Sequence, residues 1–202
     1  MTGYTEINIQ KLSETMGEEY FQTLVSDFSC PLNEDVENFL KHSAMIFARQ
    51  GIAATNLVFA SYRSDPVLTG YYTLANKHFH IDPNKAGLSN TMKRKLAKFG
   101  QFDIDLKKYI ITAPLIGQLG KNFSHNYNEL ISGAELLKFA CNRVKDIQYQ
   151  LGGKFVYLEC EDKPALVEFY SEYGFCSFGR RRLEADEAID GTYLIQMLKY
   201  LK

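Results

Sequence analysis

Residues 154–175 read KFVYLECEDKPALVEFYSEYGF and carry the side chains best spaced to do chemistry. Tyr170 is a phenol, and an unperturbed pKa of about 10 keeps it protonated at neutral pH, able to supply a proton to a leaving group. Glu159 and Glu161 could draw a proton from a substrate through water, although exposed loop carboxylates are their plainer description. Cys160 offers a thiol, but no His stands beside it in sequence to activate it, so a covalent route is the weaker option. Tyr170 has a plain reading as well. It is one of thirteen tyrosines and could sit on an amphipathic core helix.

The elements that must position these groups follow from local pattern. Phe155, Val156, Tyr157 and Leu158 form an apolar run between Gly152-Gly153 and Glu159-Cys160-Glu161-Asp162, which predicts a buried strand. Lys163-Pro164 suits a helix start, because proline lacks the N–H that a first turn leaves unpaired. Leu166, Phe169, Tyr170 and Tyr173 then share one helical face, and Gly174 stops the helix.

Composition narrows the function classes. The chain has 202 residues, 46% of them hydrophobic, and a formal charge of -1, enough to bury a full core and too balanced to pull toward nucleic acid or anionic membrane. Cys30, Cys141, Cys160 and Cys176 are widely spaced without a C-x-x-C pair, so they read as free thiols of a reducing cytosol. The four histidines lack ligand spacing, His78 and His80 lying two apart on an expected strand, so no structural metal is expected. No apolar run reaches the roughly 18–20 residues that span a bilayer.

Upstream, Asn33-Glu34-Asp35 opens a helix carrying Val36, Phe39, Leu40, Ala44 and Phe47 and ending at Gly51. Two strands follow at 56–62 and 67–80, joined by Arg63-Ser64-Asp65-Pro66, which has hairpin-turn chemistry. A short helix is expected around 92–99. Residues 109–119 read as a long strand whose Pro114 predicts an edge position or a bulge. Ser132 with Glu135 makes a capping box ahead of a helix striped by Ala134, Leu137, Ala140, Cys141, Val144 and Ile147. Such a helix N-terminus can hold an anion, or can be an ordinary capped helix without ligand.

The run Phe169, Tyr170, Gly174, Phe175, with Ala165 at a small position, resembles the last motif of the Gcn5-related N-acetyltransferase superfamily. Phe28-Ser29-Cys30-Pro31, Val36-Glu37-Asn38-Phe39-Leu40 and Thr69-Gly70-Tyr71-Tyr72-Thr73-Leu74 resemble its branch that includes toxins of bacterial toxin-antitoxin pairs. The resemblance spans roughly residues 28–180. It implies a single acyl-CoA N-acyltransferase-like domain over 1–202, an α/β (α+β) fold with a mixed, mostly antiparallel sheet of six or seven strands, helices on both faces, and a V-shaped splay between the 109–121 and 155–159 strands at the acyl-CoA site.

What the resemblance implies for function is transfer of acetyl from acetyl-CoA directly to an amine, with no metal. Tyr170 would protonate the coenzyme A thiolate. The main chain of Leu119, Gly120 and Lys121 would hold the pantetheine arm, and Phe169 and Tyr173 would flank it. Ile131, Ser132, Gly133 and Ala134 would form the pyrophosphate loop. That loop departs from the superfamily pattern: Gly133 fills the second glycine position, but Ile131 stands at the first, Asn128 replaces Gln or Arg, and Glu129 adds negative charge. Lys121 and Lys138 could compensate, and a catalytically weak binding or regulatory protein on the same fold is the opposing reading. In the toxin branch some members acetylate the amino group of aminoacyl-tRNA. Net charge gives that partner no support, and Lys93-Arg94-Lys95 and Arg180-Arg181-Arg182 are the local basic strings that could serve it. The superfamily commonly dimerises, and a cytoplasmic location without membrane attachment is expected.

Overall fold

Strand β1 (Tyr4–Asn8) ends on the residue that starts helix α1 (Ile9–Met16): the Asn8 side chain accepts the amides of Gln10 and Lys11 at 3.0 and 3.4 Å. Helix α2 (Glu18–Ser26) follows, with two acidic residues in its first turn, where the helix dipole favours them. By pattern alone, the short segment ahead of Asn33 carries no strong element signal, and its residues 1–20 read as polar and acidic. Its composition conceals four core anchors, Ile9, Leu12, Phe21 and Val25, all at or below 8% exposure.

Asn33 caps helix α3 (Glu34–Asn38) as expected, accepting the Val36 amide at 3.2 Å. The helix expected to run on to Gly51 is interrupted. A π turn spans Phe39–Ser43, with the Ala44 amide bonded to the Phe39 carbonyl, before α4 (Ala44–Arg49). Strands β2 (Ala53–Tyr62) and β3 (Asp65–Ile81) form the expected hairpin with a two-residue tip, Arg63 and Ser64, both left-handed at φ 50° and 73°. Asp65 and Pro66, expected in the turn, belong to β3. Helix α5 (Asn90–Phe99) and strand β4 (Gln101–Asp103) precede the long β5 (Lys108–Lys121). A 3-10 segment, Ser124–Leu130, leads to α6 (Gly133–Leu151), then β6 (Phe155–Glu161), α7 (Pro164–Glu172), β7 (Cys176–Arg182) and β8 (Tyr193–Tyr200).

This computed structural model describes residues 3–84, 86–183 and 193–202. Within them the strands make one mixed, mostly antiparallel sheet in the order β1-β2-β3-β5-β6-β8-β7, with β4 paired to β5. Eight strands replace the six or seven expected, because the polar β1 and the three-residue β4 carry too weak an apolar alternation to register in sequence. Pro114 does not mark an edge. Strand β5 lies between β3 and β6, and the proline stands immediately ahead of a short parallel ladder, Leu115↔Tyr157 and Ile116↔Leu158, where a missing donor interrupts least.

The chain divides into two compact units. The first, residues 1–75 and 117–141, has a core built from Ile9, Phe21, Phe28, Leu40, Leu57 and Tyr71. The second, residues 76–116 and 142–202, has a core built from Phe79, Ile81, Leu96, Ile111, Phe155, Tyr157, Phe178 and Leu198.

In the first unit Gly70 of β3 faces Gly120 of β5. A Cβ on Gly70 would stand 2.7 Å from the Gly120 carbonyl oxygen and 3.2 Å from Leu136 Cδ2. A backbone oxygen cannot swing aside as a side chain can, so the two strands would have to part. Gly70→Ala is expected to destabilise by about 1–3 kcal/mol, the range of overpacked interiors. Chemical denaturation would read it, and an alanine variant with an unchanged midpoint would contradict this close approach.

Candidate functional site

Tyr170 lies near the C-terminal end of α7, and the Gly-Phe exit has a defined structural task there. The Phe175 amide bonds to the Tyr170 carbonyl at 3.1 Å and the Gly174 amide to the Ser171 carbonyl at 2.9 Å, with Gly174 at φ +82°. These two bonds make a Schellman cap, and the edge contact of the Tyr170 and Phe175 rings, 6.0 Å between centroids, is the apolar contact that accompanies it. The F-Y-x-x-x-G-F spacing is therefore a helix stop that uses Tyr170 as an anchor.

The rest of α7 is less enclosed than a core helix. Pro164 occupies its first turn as expected, but none of its residues is buried. Leu166, Phe169 and Tyr170 are half-buried, and Tyr173 is 39% exposed. A face of four apolar or aromatic residues left this open departs from the simple core-helix description, with Tyr170 half-buried as a residue. Burial raises the phenol well above its ordinary value, and the Cys160 thiol adds to that. Tyr170 thus remains protonated across the neutral range. It can donate a proton or a hydrogen bond and cannot serve as a base.

The neighbouring candidates are placed less favourably for chemistry. Glu159 and Glu161 are strand residues, not the exposed loop carboxylates expected. Glu159 accepts Arg181 Nε and Gln196 Nε2, each at 2.8 Å, and the buried Glu161 pairs with Lys163 Nζ at 2.5 Å. Their reach for a proton is limited by these bonds. Burial, then the carboxylates of Asp162 and Glu161, push the Cys160 thiol up to about 11, so thiolate is scarce at neutral pH and a covalent route has no support. Arg180 meets Asp162 at 3.3 Å. The Arg180-Arg181-Arg182 string therefore spends two of its charges on carboxylates within its own unit.

The other candidates belong to the first unit. Leu119, Gly120 and Lys121 form the end of β5, with Gly120 buried against Val36, Tyr71 and Phe28. Asn122, which carries no motif of its own in sequence, brackets this end. Its Oδ1 accepts the amides of Ser29 and Ser124 at 3.1 Å each, and its Nδ2 donates to the Leu68 carbonyl at 2.9 Å. Lys121 Nζ donates to the Asn128 carbonyl at 3.0 Å. That bond braces the loop and takes up one of the two cations, Lys121 and Lys138, expected to compensate for its irregular pattern.

Ile131 is not an obstruction on the loop surface. It is 2% exposed, and its φ of -143° is extended backbone that any residue adopts, so glycine is not needed at this position. Ser132 and Glu135 form the capping box anticipated from sequence: Glu135 Oε2 accepts the Ser132 amide at 2.8 Å and hydroxyl at 2.7 Å, and Ser132 Oγ accepts the Glu135 amide at 3.1 Å. The bonds from Ser132 hold the Glu135 carboxyl below its usual range. One amide of the candidate anion loop, that of Ser132, is thus already engaged together with the Glu135 amide that follows the loop, while those of Gly133 and Ala134 lie outside the box. Tyr4 fastens the loop from β1, its hydroxyl donating to the Leu130 carbonyl at 2.8 Å and to Glu135 Oε1 at 3.2 Å. Nothing local in sequence signals a contact across 126 residues.

No protein-family model matches the chain, and no curated protein matches it. Solved structures do. A tyrosine-to-phenylalanine variant of KacT is 18% identical, with a TM-score of 0.61 over 95% of this chain and 93% of that one. AtaT complexed with acetyl-methionyl-tRNAfMet is 18% identical, with a TM-score of 0.59 over 96% and 94%. AtaTR bound with acetyl-CoA is 16% identical, with a TM-score of 0.53 over 95% and 91%. The chain has the Gcn5-related N-acetyltransferase fold. On that fold, the acetyltransferase candidates here form two groups, with Phe169, Tyr170 and Tyr173 in one unit and Leu119, Gly120, Lys121, Ile131, Ser132, Gly133 and Ala134 in the other.

Proposed function

We propose that the protein is an N-acetyltransferase that moves acetyl from acetyl-CoA directly to an amine. The observation that carries this reading is Tyr170, a phenol that burial keeps protonated, held by a Schellman cap on an otherwise open aromatic helix face. The AtaTR structure with acetyl-CoA and the tyrosine-to-phenylalanine variant of KacT add support from the same fold.

In the proposed reaction the neutral amine nitrogen attacks the thioester carbonyl carbon and forms the C–N bond. The tetrahedral centre collapses with cleavage of the C–S bond, the sulfur takes the Tyr170 proton, and the nitrogen loses its extra proton to water. Recovery of a proton by the phenolate restores the enzyme. The main chain of Leu119, Gly120 and Lys121, at the end of β5, would hold the pantetheine arm. Ile131, Ser132, Gly133 and Ala134 would meet the pyrophosphate, the amides of Gly133 and Ala134 being those outside the capping box. Phe169 and Tyr173 would flank the acyl donor.

A toxin acting on aminoacyl-tRNA is the second reading, favoured by the AtaT complex. Four cysteines outside any disulfide, three of them buried, suit the reducing cytosol proposed as its location. No helix among the described residues is long and apolar enough to cross a membrane.

Calorimetric titration with acetyl-CoA tests the donor. Saturable binding is expected, with a melting temperature that rises with ligand concentration as mass action requires. A protein indifferent to both acetyl-CoA and CoA would overturn the enzyme reading in favour of a binding or regulatory protein on this fold.

A further inference from the structure

Five residues other than glycine have positive φ among the described residues, and four of them fall in two turns of the first unit: Arg63 and Ser64 at the β2–β3 tip, His125 and Asn126 in the 3-10 segment. The two turns are joined by aromatic contacts. Tyr62 meets Tyr127 edge-on with centroids 5.8 Å apart, the His125 ring lies 5.4 Å from Tyr127, and the Arg63 guanidinium sits 5.1 Å over the Tyr62 ring. A two-residue hairpin tip is most comfortable as Asn-Gly. Here the chain holds Arg and Ser in that conformation, which places a cation over an aromatic face at the surface. Tyr62 is 37% exposed, and Arg63, His125 and Asn126 are exposed.

The fold does not require this set. An exposed ring cluster contributes little burial, and left-handed residues of this kind are tolerated only where the surroundings enforce them. Its chemistry suits a flat heteroaromatic ring bearing negative charge, since bases stack on tyrosine and histidine faces and guanidinium pairs with phosphate. Tyr127 immediately precedes Asn128, the residue braced by Lys121, so the cluster is continuous in sequence with the candidate anion loop.

We propose that Tyr62, Arg63, His125 and Tyr127 bind a nucleobase with its attached phosphate, and that the occupant is the adenosine 3′-phosphate end of the acyl donor. This rests on acetyl-CoA being the donor, as proposed above. Stacking of the adenine falls to Tyr127 and His125, and the 3′-phosphate to Arg63, with Tyr62 holding the guanidinium in place.

Titration of the full chain with CoA, dephospho-CoA and adenosine 3′,5′-bisphosphate tests it. Tyr127→Ala is expected to bind CoA and the bisphosphate about tenfold more weakly, the scale of one lost base stack. Arg63→Ala is expected to erase the preference for CoA over dephospho-CoA. Far-ultraviolet circular dichroism and melting temperature would confirm that both variants are folded, and Tyr127→Phe, which keeps a stacking face, should bind as the parent does. If the parent binds CoA while both variants bind all three ligands equally well, the site is overturned and the donor reading stands. If the parent binds neither CoA nor the bisphosphate, the donor reading fails and this proposal with it. Tyr127-dependent binding of a short single-stranded RNA, without binding of the bisphosphate, would overturn the assigned occupant.

Discussion

Tyr170→Phe is expected to bind acetyl-CoA as the parent protein does and to lose turnover by roughly 10²- to 10⁴-fold, the usual contribution of a positioned acid. The change removes one oxygen and retains the ring. Its edge contacts with Phe169 and Phe175, at 5.1 and 6.0 Å, can persist, and so can the main-chain bond from Phe175 that ends the helix. Folding and affinity should therefore separate cleanly from chemistry. Single-turnover measurement of free thiol, paired with calorimetry on the same preparation, would read both. A variant with parental turnover would leave Tyr170 as a helix-capping residue alone. Replacing Gly174 is the informative companion, because it perturbs the cap without touching the phenol. At φ +82° an alanine is strained, and loosening of Tyr170 should then appear as lost turnover alongside lost stability.

Phe28→Ala is expected to have the largest effect on stability, about 3–5 kcal/mol, as for a large aromatic removed from an interior. Phe28 is 0% exposed, meets Tyr71 edge-on at 5.4 Å, and has its Cζ only 3.6 Å from where a Cβ on Gly120 would lie. For a chain of this length the melting temperature should fall by roughly 10 °C. The loss should reach the candidate donor site as well, because the next residue, Ser29, is bonded twice to the end of β5: its amide to Asn122 Oδ1 and its carbonyl to the Phe123 amide. Acetyl-CoA should consequently protect the variant against heat less than it protects the parent. Phe28→Leu, with a smaller volume loss, should fall well short of this. An alanine variant that melted with the parent would remove Phe28 from the core.

Elements with short-range causes are legible in the sequence itself. Pro164 at a helix start, Gly174 at its end, the Ser132 and Glu135 box, the Asn33 cap and the β2–β3 hairpin each depend on residues a few positions apart, and each is found in place. Expectation and structure part where a cause is distant or the signal short. Strands β1 and β4 escape a pattern reading because they are brief and mostly polar. Pro114 suggests an edge or a bulge, and the edge alternative fails because sequence shows its missing N–H but not which neighbours β5 acquires. Glu159 and Glu161 look like loop carboxylates because their partners, Arg181 and Lys163 among them, are chosen by strand and turn geometry.

The sequence by itself determined the resemblance, the helix stop that contains Tyr170, and the capped helix that follows the candidate anion loop. Only the tertiary structure decided the states of those parts. It turned Ile131 inward, so that the missing glycine ceased to obstruct the loop; it tied Lys121 to Asn128 and Tyr4 to Leu130; it left α7 open; and it joined Tyr62 to Tyr127. The physical reason is range. A cap or a turn is set by bonds over three to five residues, whereas burial, partner choice and the acidity of a phenol depend on which distant strands the sheet places side by side.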